Sequence, residues 1–310
     1  MNKIEQNNST TYDVVIAGGG PAGLAAALQL GRARRRVLLC DAGPRRNAAA
    51  ERVYGFVTQD GTPPTEFRRI GRQQLERYGN VEVRDVAVEE IRGESGSFEV
   101  RLSEETVKAR RVLLCTGMID EMPDLPGYRE LWGRSIFQCP YCHGWEVQDR
   151  RFGFLAPAAG ELEFGLFLRG WTSHVTVLTD GRFEVPEEVR ARLAQGGVQV
   201  EERSITRLSG NDHLEAIEFS AGAPLSLDVL FARPRQRQVP FVESLGLALD
   251  AGGYVQVNEG HQTSIPGIYA AGDLLTPAQG ALLGAAAGVR AVAMINRELL
   301  TELALNGGLP

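Results

Sequence analysis

The chain contains 310 residues with a formal net charge of −6, and 43% of its residues are hydrophobic while 23% are charged. This length allows one large domain or two of ordinary size, and the composition is that of a soluble globular protein. The basic residues are scattered, which argues against a nucleic-acid-binding surface, and no run reaches the roughly 20 apolar residues of a membrane span. The polar opening segment, residues 1–11, lacks the apolar core of a secretory signal, so we predict a frayed tail on a cytoplasmic protein.

The first elements of the chain predict a βαβ unit. Residues 12–17, YDVVIA, form a short apolar run rich in β-branched residues, which is typical of a buried parallel strand. A helix is predicted over residues 24–34 and a second strand over residues 36–40. The glycine-rich segment GGGPAG separates the first strand from the helix, and Asp41 directly follows the second strand.

The glycines of this loop indicate a dinucleotide site. Gly18 permits a tight turn, Gly20 lets a pyrophosphate approach the backbone, and Gly23 allows close packing of the helix on the strand. The first amide groups of the helix, together with its dipole, favour phosphate oxygens. Asp41 is placed to accept hydrogen bonds from an adenosine ribose. This loop by itself fits FAD or NAD equally well.

The remaining predicted elements repeat the same design later in the chain. Further elements of the first half are a helix over 64–78 and strands over 81–88, 98–102 and 107–115. A second βαβ unit is predicted from a strand at 151–155, a helix at 162–169 and a strand at 175–178. A strand over 265–273 and a long helix over 280–303 close the chain.

Two such units suggest a second domain inserted into the first. We predict an α/β fold with two Rossmann-like dinucleotide-binding domains. The first domain would comprise residues 10–119 and 240–310, and the inserted domain residues 120–239.

The cysteines divide into two kinds. Cys40 and Cys115 each end an apolar strand and are predicted to be buried thiols. Cys139 and Cys142 form a C-x-x-C, which beside βαβ units indicates redox chemistry, with structural zinc as the competing interpretation. Zinc would need two further ligands and the chain has only four histidines, so no metal site is predicted.

Two later segments make the assignment more specific. Residues 263–273 read TSIPGIYAAGD and residues 114–117 read LCTG. Their order, the domain insertion and the position of the cysteine pair resemble the low-molecular-weight thioredoxin reductases over nearly the whole chain. The resemblance implies a homodimer that binds FAD through these residues: Gly18, Gly20, Pro21, Ala22, Gly23, Asp41, Thr116, Gly117, Gly272, Asp273 and Gln279.

The same resemblance implies roles for the residues of the C-x-x-C segment. Cys142 would be the thiolate on the flavin side, and Cys139 would exchange with the substrate. His143 stands where that family usually has a proton-donating aspartate. Because histidine titrates near neutrality, His143 is expected to act as base and acid in thiol exchange.

The inserted domain departs from the reductase pattern where NADPH should bind. Ala156, Ala158 and Glu161 stand in place of the pattern G-x-G-x-x-A. Their Cβ atoms block a close pyrophosphate approach, Pro157 has no N–H to donate, and Glu161 puts negative charge at a helix start. Asp180, within Thr-Asp-Gly, replaces the cationic cluster that binds the 2′-phosphate. We therefore expect electrons to enter from thiols, with a weak NADH site at Asp180 as the alternative.

The segment CPYCHGWE, residues 139–146, also resembles a subgroup of this superfamily. These are the FAD-dependent dithiol oxidases that close disulfides in natural products such as gliotoxin, holomycin and romidepsin-type depsipeptides. The resemblance implies a small-molecule dithiol substrate, and oxygen as the acceptor that yields hydrogen peroxide. One alternative is a reductase of thioredoxin or a similar protein, supplied by NAD(P)H or ferredoxin. Another is a redox sensor without turnover, although the intact cysteine pair argues against it.

Overall fold

The computed structural model describes residues 11–43 and 45–307. Its helices are α1 (Pro21–Arg32), α2 (Pro64–Leu75), α3 (Tyr128–Leu131), α4 (Pro140–His143), α5 (Phe164–Leu168), α6 (Glu187–Gln195), α7 (Pro240–Ser244) and α8 (Ala281–Leu305). The strands of the first half are β1 (Thr11–Ala17), β2 (Val37–Cys40), β3 (Val81–Arg84), β4 (Val88–Glu94), β5 (Ser97–Leu102), β6 (Thr106–Leu114), β7 (Ile119–Glu121) and β8 (Ile136–Phe137). Those of the second half are β9 (Phe152–Leu155), β10 (Val175–Leu178), β11 (Val198–Glu201), β12 (Ile205–Ser209), β13 (Ala216–Phe219), β14 (Leu225–Ser226), β15 (Val229–Ala232), β16 (Arg235–Arg237) and β17 (Ile268–Ala270).

The first of two compact units contains the described parts of residues 1–46, 64–119 and 237–310. Its seven-stranded sheet has the order β3-β2-β1-β6-β5-β4, with β17 also paired to β6. The pairs around β1 and the β6–β17 pair are parallel, whereas β4, β5 and β6 pair antiparallel. Helices α1 and α8 pack together so closely that a Cβ on Gly288 would lie 2.2 Å from the Ala22 carbonyl oxygen.

The second unit contains residues 47–63 and 120–236. Its main sheet has the order β11-β10-β9-β15-β8, and every neighbouring pair in it is parallel. A separate antiparallel sheet is formed by β12, β13 and β14. Parallel strands joined through helices are the arrangement of a dinucleotide-type domain, so the predicted α/β class is confirmed.

The division of the chain differs from the sequence prediction in residues 47–63 and in residues 237–239, of which the latter group with the first unit. Residues 47–63, which were predicted to lie in the first domain, group with the second unit. Tyr54 meets the ring of His143 edge-on, and the backbone of Ala49 lies against Gly133, which explains the grouping. The chain passes between the units near Ile119–Glu121 and Arg235–Arg237, and these two segments pair as short strands.

Most of the predicted elements are present, and several boundaries were wrong. The strand predicted over 81–88 is two strands, because β3 and β4 lie at opposite edges of the sheet. The strand predicted over 265–273 is limited to Ile268–Ala270 by left-handed backbone at Gly267 and Gly272. The helices predicted at 64–78 and 162–169 are shorter, and Thr11 begins β1 rather than belonging to a tail; the rest of that predicted tail lies outside the described residues. Within the described part of the chain, no helix is long and apolar enough to cross a membrane.

Candidate active site

The predicted dinucleotide loop lies between β1 and α1 with the geometry that its glycines require. Gly18 has a φ of +112°, and a Cβ there would lie 2.2 Å from the Cys115 carbonyl oxygen. A Cβ on Gly23 would lie 1.9 Å from the Gly18 carbonyl oxygen, so this position holds the helix against the loop. Gly20 caps α1 in extended backbone, and, apart from its chain neighbours, no atom of the described residues comes within 4 Å of the place of its Cβ. Pro21 follows as the first helical residue.

The start of α1 suits an anion such as a pyrophosphate. The first turn carries no acidic side chain, and Pro21 has no N–H to leave unpaired. The helix is 12 residues long, so its dipole places partial positive charge at this end. The space beside Gly20 would let a phosphate reach the backbone, which a side chain would prevent.

Asp41 lies at the predicted place but is more constrained than the sequence suggested. Its carboxylate is buried, forms an ion pair with Arg68, and lies 3.5 Å from a guanidinium nitrogen of Arg72. It also accepts a hydrogen bond from the Gly43 N–H at 3.2 Å. Sequence reasoning missed both arginines, because their relation to Asp41 depends on how α2 packs.

The other predicted cofactor residues gather at the same edge of this sheet. Thr116 and Gly117 follow β6, and Gly117 adopts a positive φ of 67°. Gly272 follows β17 with a φ of +99°, and a Cβ there would lie 3.1 Å from the Cβ of Ala22. The carboxyl ends of parallel strands are where open α/β sheets bind ligands.

A further residue of this edge, Arg46, was not identified from the sequence. Its guanidinium donates hydrogen bonds to the carboxylate of Asp273, at 3.1 Å, and to the side-chain oxygen of Gln279. The Gln279 amide in turn donates to the Asp273 carbonyl oxygen at 3.2 Å. Asp273 and Gln279 therefore belong to one hydrogen-bonded group. The signal in the sequence was the pair Arg45-Arg46 after the second strand, which was not interpreted.

These residues together fit an FAD molecule. A glycine cradle at a helix start suits the pyrophosphate, and Asp41 stands at the adjacent strand end where an adenosine ribose would be bound. Thr116, Gly117, Gly272, Asp273 and Gln279 line the same strand edge, as the sequence resemblance implies. Each of these contacts with FAD stays a prediction.

The cysteine pair lies in the second unit, on the short helix α4. Cys139 precedes this helix with extended backbone and Pro140 is its first residue, while Cys142 lies one turn further along. The thiol of Cys142 donates a hydrogen bond to the sulfur of Cys139, and the two Sγ atoms are 2.7 Å apart. A small movement would bring them to the bonding distance of a disulfide, about 2.05 Å. The spacing thus permits both a dithiol and a disulfide.

The two thiols of the first unit have a different environment. Cys40 and Cys115 are buried, as predicted, and burial raises the pKa of the Cys40 thiol to about 12. By contrast, the hydrogen bond from Cys142 lowers the pKa of Cys139 to about 7, assisted by backbone N–H groups and the charge of Arg233. Because the thiolate is the nucleophile, Cys139 is the reactive member of this comparison.

His143 lies in an apolar setting between aromatic rings. Its ring stacks on Phe137 with centroids 4.5 Å apart and meets Tyr54 edge-on at 6.3 Å. Neither ring nitrogen has a hydrogen-bond partner among the described residues. Burial lowers the pKa of His143 to about 4, so the expectation that it titrates near neutrality was wrong. At neutral pH the ring is uncharged and, with this pKa, only weakly basic.

The edge where a nicotinamide nucleotide would bind is occupied by ion pairs. Glu161 ends a short 3₁₀ turn after β9, and its carboxylate lies 2.7 Å from the guanidinium of Arg233. Asp180, in left-handed backbone, accepts a hydrogen bond from the Ile205 N–H at 2.6 Å and lies 3.6 Å from Arg182. The sequence reasoning missed these arginines. Each is paired with a carboxylate, so a phosphate at this edge would have to displace that carboxylate from its arginine.

No group of three or more histidine, cysteine, aspartate or glutamate residues with the arrangement of a metal site occurs in the part of the chain that the structure describes. The cysteine pair is instead surrounded by aromatic side chains. Tyr141, between the two cysteines, packs edge-on against Phe167 and Trp171, each with ring centroids 5.6 Å away.

The fold and the two sites define a flavin-linked thiol–disulfide oxidoreductase. The chain belongs to the pyridine nucleotide-disulphide oxidoreductase family, whose model matches residues 12–291. It is 31% identical over 309 residues to thioredoxin reductase sirT of Leptosphaeria maculans, covering 93% of this chain and 94% of that protein. It is 32% identical over 283 residues to thioredoxin reductase aclD of Aspergillus oryzae, covering 84% and 88% of the respective chains.

Solved structures agree with this membership. An oxidoreductase from Agrobacterium tumefaciens is 36% identical with a TM-score of 0.89, covering 94% of this chain and 99% of that one. The crystal structure of HlmI is 34% identical with a TM-score of 0.89, covering 96% and 95%. The predicted resemblance to thioredoxin reductases is therefore confirmed. As a member of this thioredoxin reductase-like family, the protein is an FAD-binding enzyme.

Proposed function

We propose that the protein is a dithiol oxidase that closes a disulfide in a small molecule and passes the electrons to oxygen. The observation that carries this proposal is the edge after β9, where Glu161 and Arg233 form an ion pair at 2.7 Å in place of a phosphate-binding loop. A nucleotide phosphate there would meet the carboxylate of Glu161 and the exposed methyl group of Ala158, whereas Ala156, which was expected to block it as well, is buried in the core. Electrons would then have to come from thiols.

The cysteine pair supplies the thiol chemistry. In the disulfide form, a substrate thiolate attacks the Sγ of Cys139, forms a mixed disulfide and releases the Cys142 thiolate. The second substrate thiolate attacks the substrate sulfur of that mixed disulfide and releases Cys139. The substrate leaves as a disulfide, and the enzyme holds two reduced cysteines and the electron pair.

His143 is placed next to this exchange and acts on its protons. It directly follows Cys142, and its uncharged ring has a pKa of about 4 because of its burial. We assign His143 the removal of a proton from the second substrate thiol; because an imidazole with a pKa of about 4 is a weak base, this step requires the thiolate that forms beside the ring to raise that pKa. Its stacking on Phe137 holds the ring in one orientation.

When bound, FAD would supply the two-electron chemistry that connects the Cys139–Cys142 dithiol to oxygen, with hydrogen peroxide as the product. In this scheme Cys142 is the cysteine on the flavin side, and Cys139 is the one that meets the substrate. The lowered pKa of Cys139, about 7, suits its role as a leaving group in the exchange.

The test is an anaerobic titration of the FAD-loaded enzyme, followed by its absorbance. A small dithiol such as dithiothreitol should bleach the flavin, and air should restore the colour with one hydrogen peroxide formed per dithiol oxidised. NADPH and NADH should leave the flavin oxidised over the same period. Rapid bleaching by NADPH would overturn the proposal.

A second candidate function is favoured by the names of the relatives. Several of them, including the protein from Leptosphaeria maculans, are called thioredoxin reductases. If this chain had that activity, reduced nicotinamide nucleotide or another donor such as ferredoxin would bleach the flavin, and the reduced enzyme would then reduce thioredoxin. The same titration separates the two functions.

A further inference from the structure

Three neighbouring strands of the second unit end at the same edge of its sheet. Strand β15 lies between β8 and β9, with Phe231 opposite Phe137 and Ala232 opposite Leu155 in parallel register. Cys139 follows the end of β8 by two residues, and Arg233 follows the end of β15 directly. The topology therefore brings Arg233 to the edge that carries Cys139.

The Arg233 side chain is fixed at this edge by two contacts. Its guanidinium donates to the Glu161 carboxylate at 2.7 Å and lies 4.3 Å from the centre of the Phe164 ring. Each contact restrains one side of the planar group, and stacking on an aromatic face is a preferred setting for arginine. The side chain is 40% exposed, so the pair is accessible to solvent ions.

The groups considered around Cys139 belong to α4 and to the turns after β9 and β15. Cys142 and His143 belong to α4, and the buried imidazole of His143 is uncharged above its pKa of about 4. Glu161, from the turn after β9, is paired with Arg233. Arg233 is the cation whose charge favours the thiolate form of Cys139.

We propose that Arg233, held in place by Glu161 and Phe164, stabilises the thiolate of Cys139. The edge of the sheet after β9, where a reductase would bind a nucleotide, thus holds a positively charged side chain in place. Arg233 acts through Cys139 and is a positioning residue rather than a catalytic one. The consequence for turnover rests on the proposed function: release of Cys139 from the mixed disulfide is faster when its thiolate is stabilised.

The experiment measures the thiolate directly and does not depend on oxidase activity. The enzyme is reduced under anaerobic conditions, and alkylation of Cys139 by iodoacetamide is followed by tandem mass spectrometry across a series of pH values. In the wild-type protein the rate should rise with a midpoint of about 7. In R233Q the midpoint should rise by roughly half a unit, which lowers the rate near neutral pH about twofold.

Two further variants make the result specific. R233K keeps the charge and should restore most of the wild-type pH profile. R235Q removes an equal charge two residues away, where the Arg235 side chain is 88% exposed and 3.8 Å from Glu121, and should leave the midpoint unchanged. An R233Q midpoint equal to that of the wild type, or an equal shift in R235Q, would contradict the proposal.

A measurement on the wild-type protein tests the proposal even if the variants do not fold. Because Arg233 is partly exposed, salt at about 1 M, where the screening length falls to about 3 Å, should weaken its effect. The alkylation midpoint of Cys139 in the wild type should then move upward. An alkylation midpoint that does not change with salt concentration would argue against a role for the charge of Arg233. If dithiols fail to bleach the flavin while these profiles behave as expected, only the proposed function is wrong.

Discussion

The two cysteines of α4 differ in the chemistry that their positions allow. Cys139 accepts a hydrogen bond from the Cys142 thiol, and its pKa of about 7 makes it reactive near neutral pH. Both are required for an internal disulfide, so we expect Cys139→Ser and Cys142→Ser each to abolish dithiol oxidation while FAD stays bound. The measurement is oxygen consumption with dithiothreitol, and Cys115→Ser is the matched control because that thiol is buried elsewhere. Activity retained in Cys139→Ser would show that the pair is not the reaction centre.

His143 gives a prediction about turnover. Since the uncharged ring is assigned to accept a proton, His143→Gln should lower the rate of dithiol oxidation by roughly 10²-fold. His213→Gln, on an exposed loop, should have no effect. Because the pKa of His143 is about 4, the rise of activity with pH through about 7 should belong to Cys139 and should persist in His143→Gln. Loss of that rise in the variant would assign it to the histidine instead.

The same residue gives a prediction about stability. Burial lowers the folded-state pKa of His143 to about 4, below the unfolded value of about 6.5. Protonation therefore favours unfolding, so the neutral ring's contribution is complete above about 6.5 and is lost as the pH falls toward 4. His143→Phe should lose less melting temperature than the wild type between neutral pH and about pH 5. An identical decrease in both proteins would mean that His143 is not buried as described.

At the scale of elements, two glycines of the loop between β1 and α1 have different tasks. Gly20 leaves room for a pyrophosphate, and Gly23 lets the helix pack closely on the loop. Gly20 borders open space, and its φ of −76° suits any residue, so Gly20→Ala should fold normally. The added methyl group would stand where a pyrophosphate approaches, so we expect FAD affinity to fall by roughly tenfold or more, about 1.4 kcal/mol. Titration of the apoprotein with FAD, followed by flavin fluorescence, measures this change. Unchanged affinity would place the pyrophosphate elsewhere.

Gly23 is the matched position with the opposite expectation. A Cβ there would come within 1.9 Å of the Gly18 carbonyl oxygen, so Gly23→Ala must displace the helix or the loop. We expect a loss of roughly 1–3 kcal/mol in the stability of the apoprotein itself. Chemical denaturation measures it, and a Gly23→Ala apoprotein as stable as wild type would contradict the packing role.

Features that depend on neighbouring residues could be predicted from the sequence, whereas contacts between residues far apart in the chain could not. The strand before the loop, the three glycines and the aspartate after the second strand lie within 30 residues, and each was located correctly. Arg46, by contrast, donates to Asp273 across 227 positions of the chain, so no local pattern could reveal it. The same reason explains the error at residues 81–88, because only the strand order shows that β3 and β4 lie at opposite edges.

The loop after β9 could be interpreted from the sequence alone, but the ion pairs at the same edge of the sheet could not. The lost glycines were visible in the sequence, and the carboxylates of Glu161 and Asp180 lie at this edge as expected from the sequence. That each has an arginine nearby follows only from the packing of the strand ends. That this edge does not bind a nucleotide phosphate stays a prediction, and the pairing of these arginines with carboxylates supports it.

At the scale of the whole molecule, the domain boundaries stay a proposal that can be tested. The chain leaves the first unit near Ile119 and returns near Arg237, and the two crossings pair as the strands β7 and β16. Paired strands lie about 5 Å apart, so a linker of about four residues would span the crossings once residues 120–236 are removed. Such a deletion leaves the seven-stranded sheet of the first unit complete.

We expect this shortened chain to bind FAD with the absorbance of the full enzyme, because the residues predicted to hold the cofactor are all in the first unit. It should not be bleached by dithiothreitol under anaerobic conditions, since both redox cysteines have been removed. The full-length double variant Cys139→Ser/Cys142→Ser is the matched control, with the same expected behaviour and the second unit present. Residues 47–63 should become sensitive to proteolysis in the shortened chain only, because their contacts at Gly133 and His143 are lost. A shortened chain that folds but cannot retain FAD would mean that the cofactor site requires the second unit.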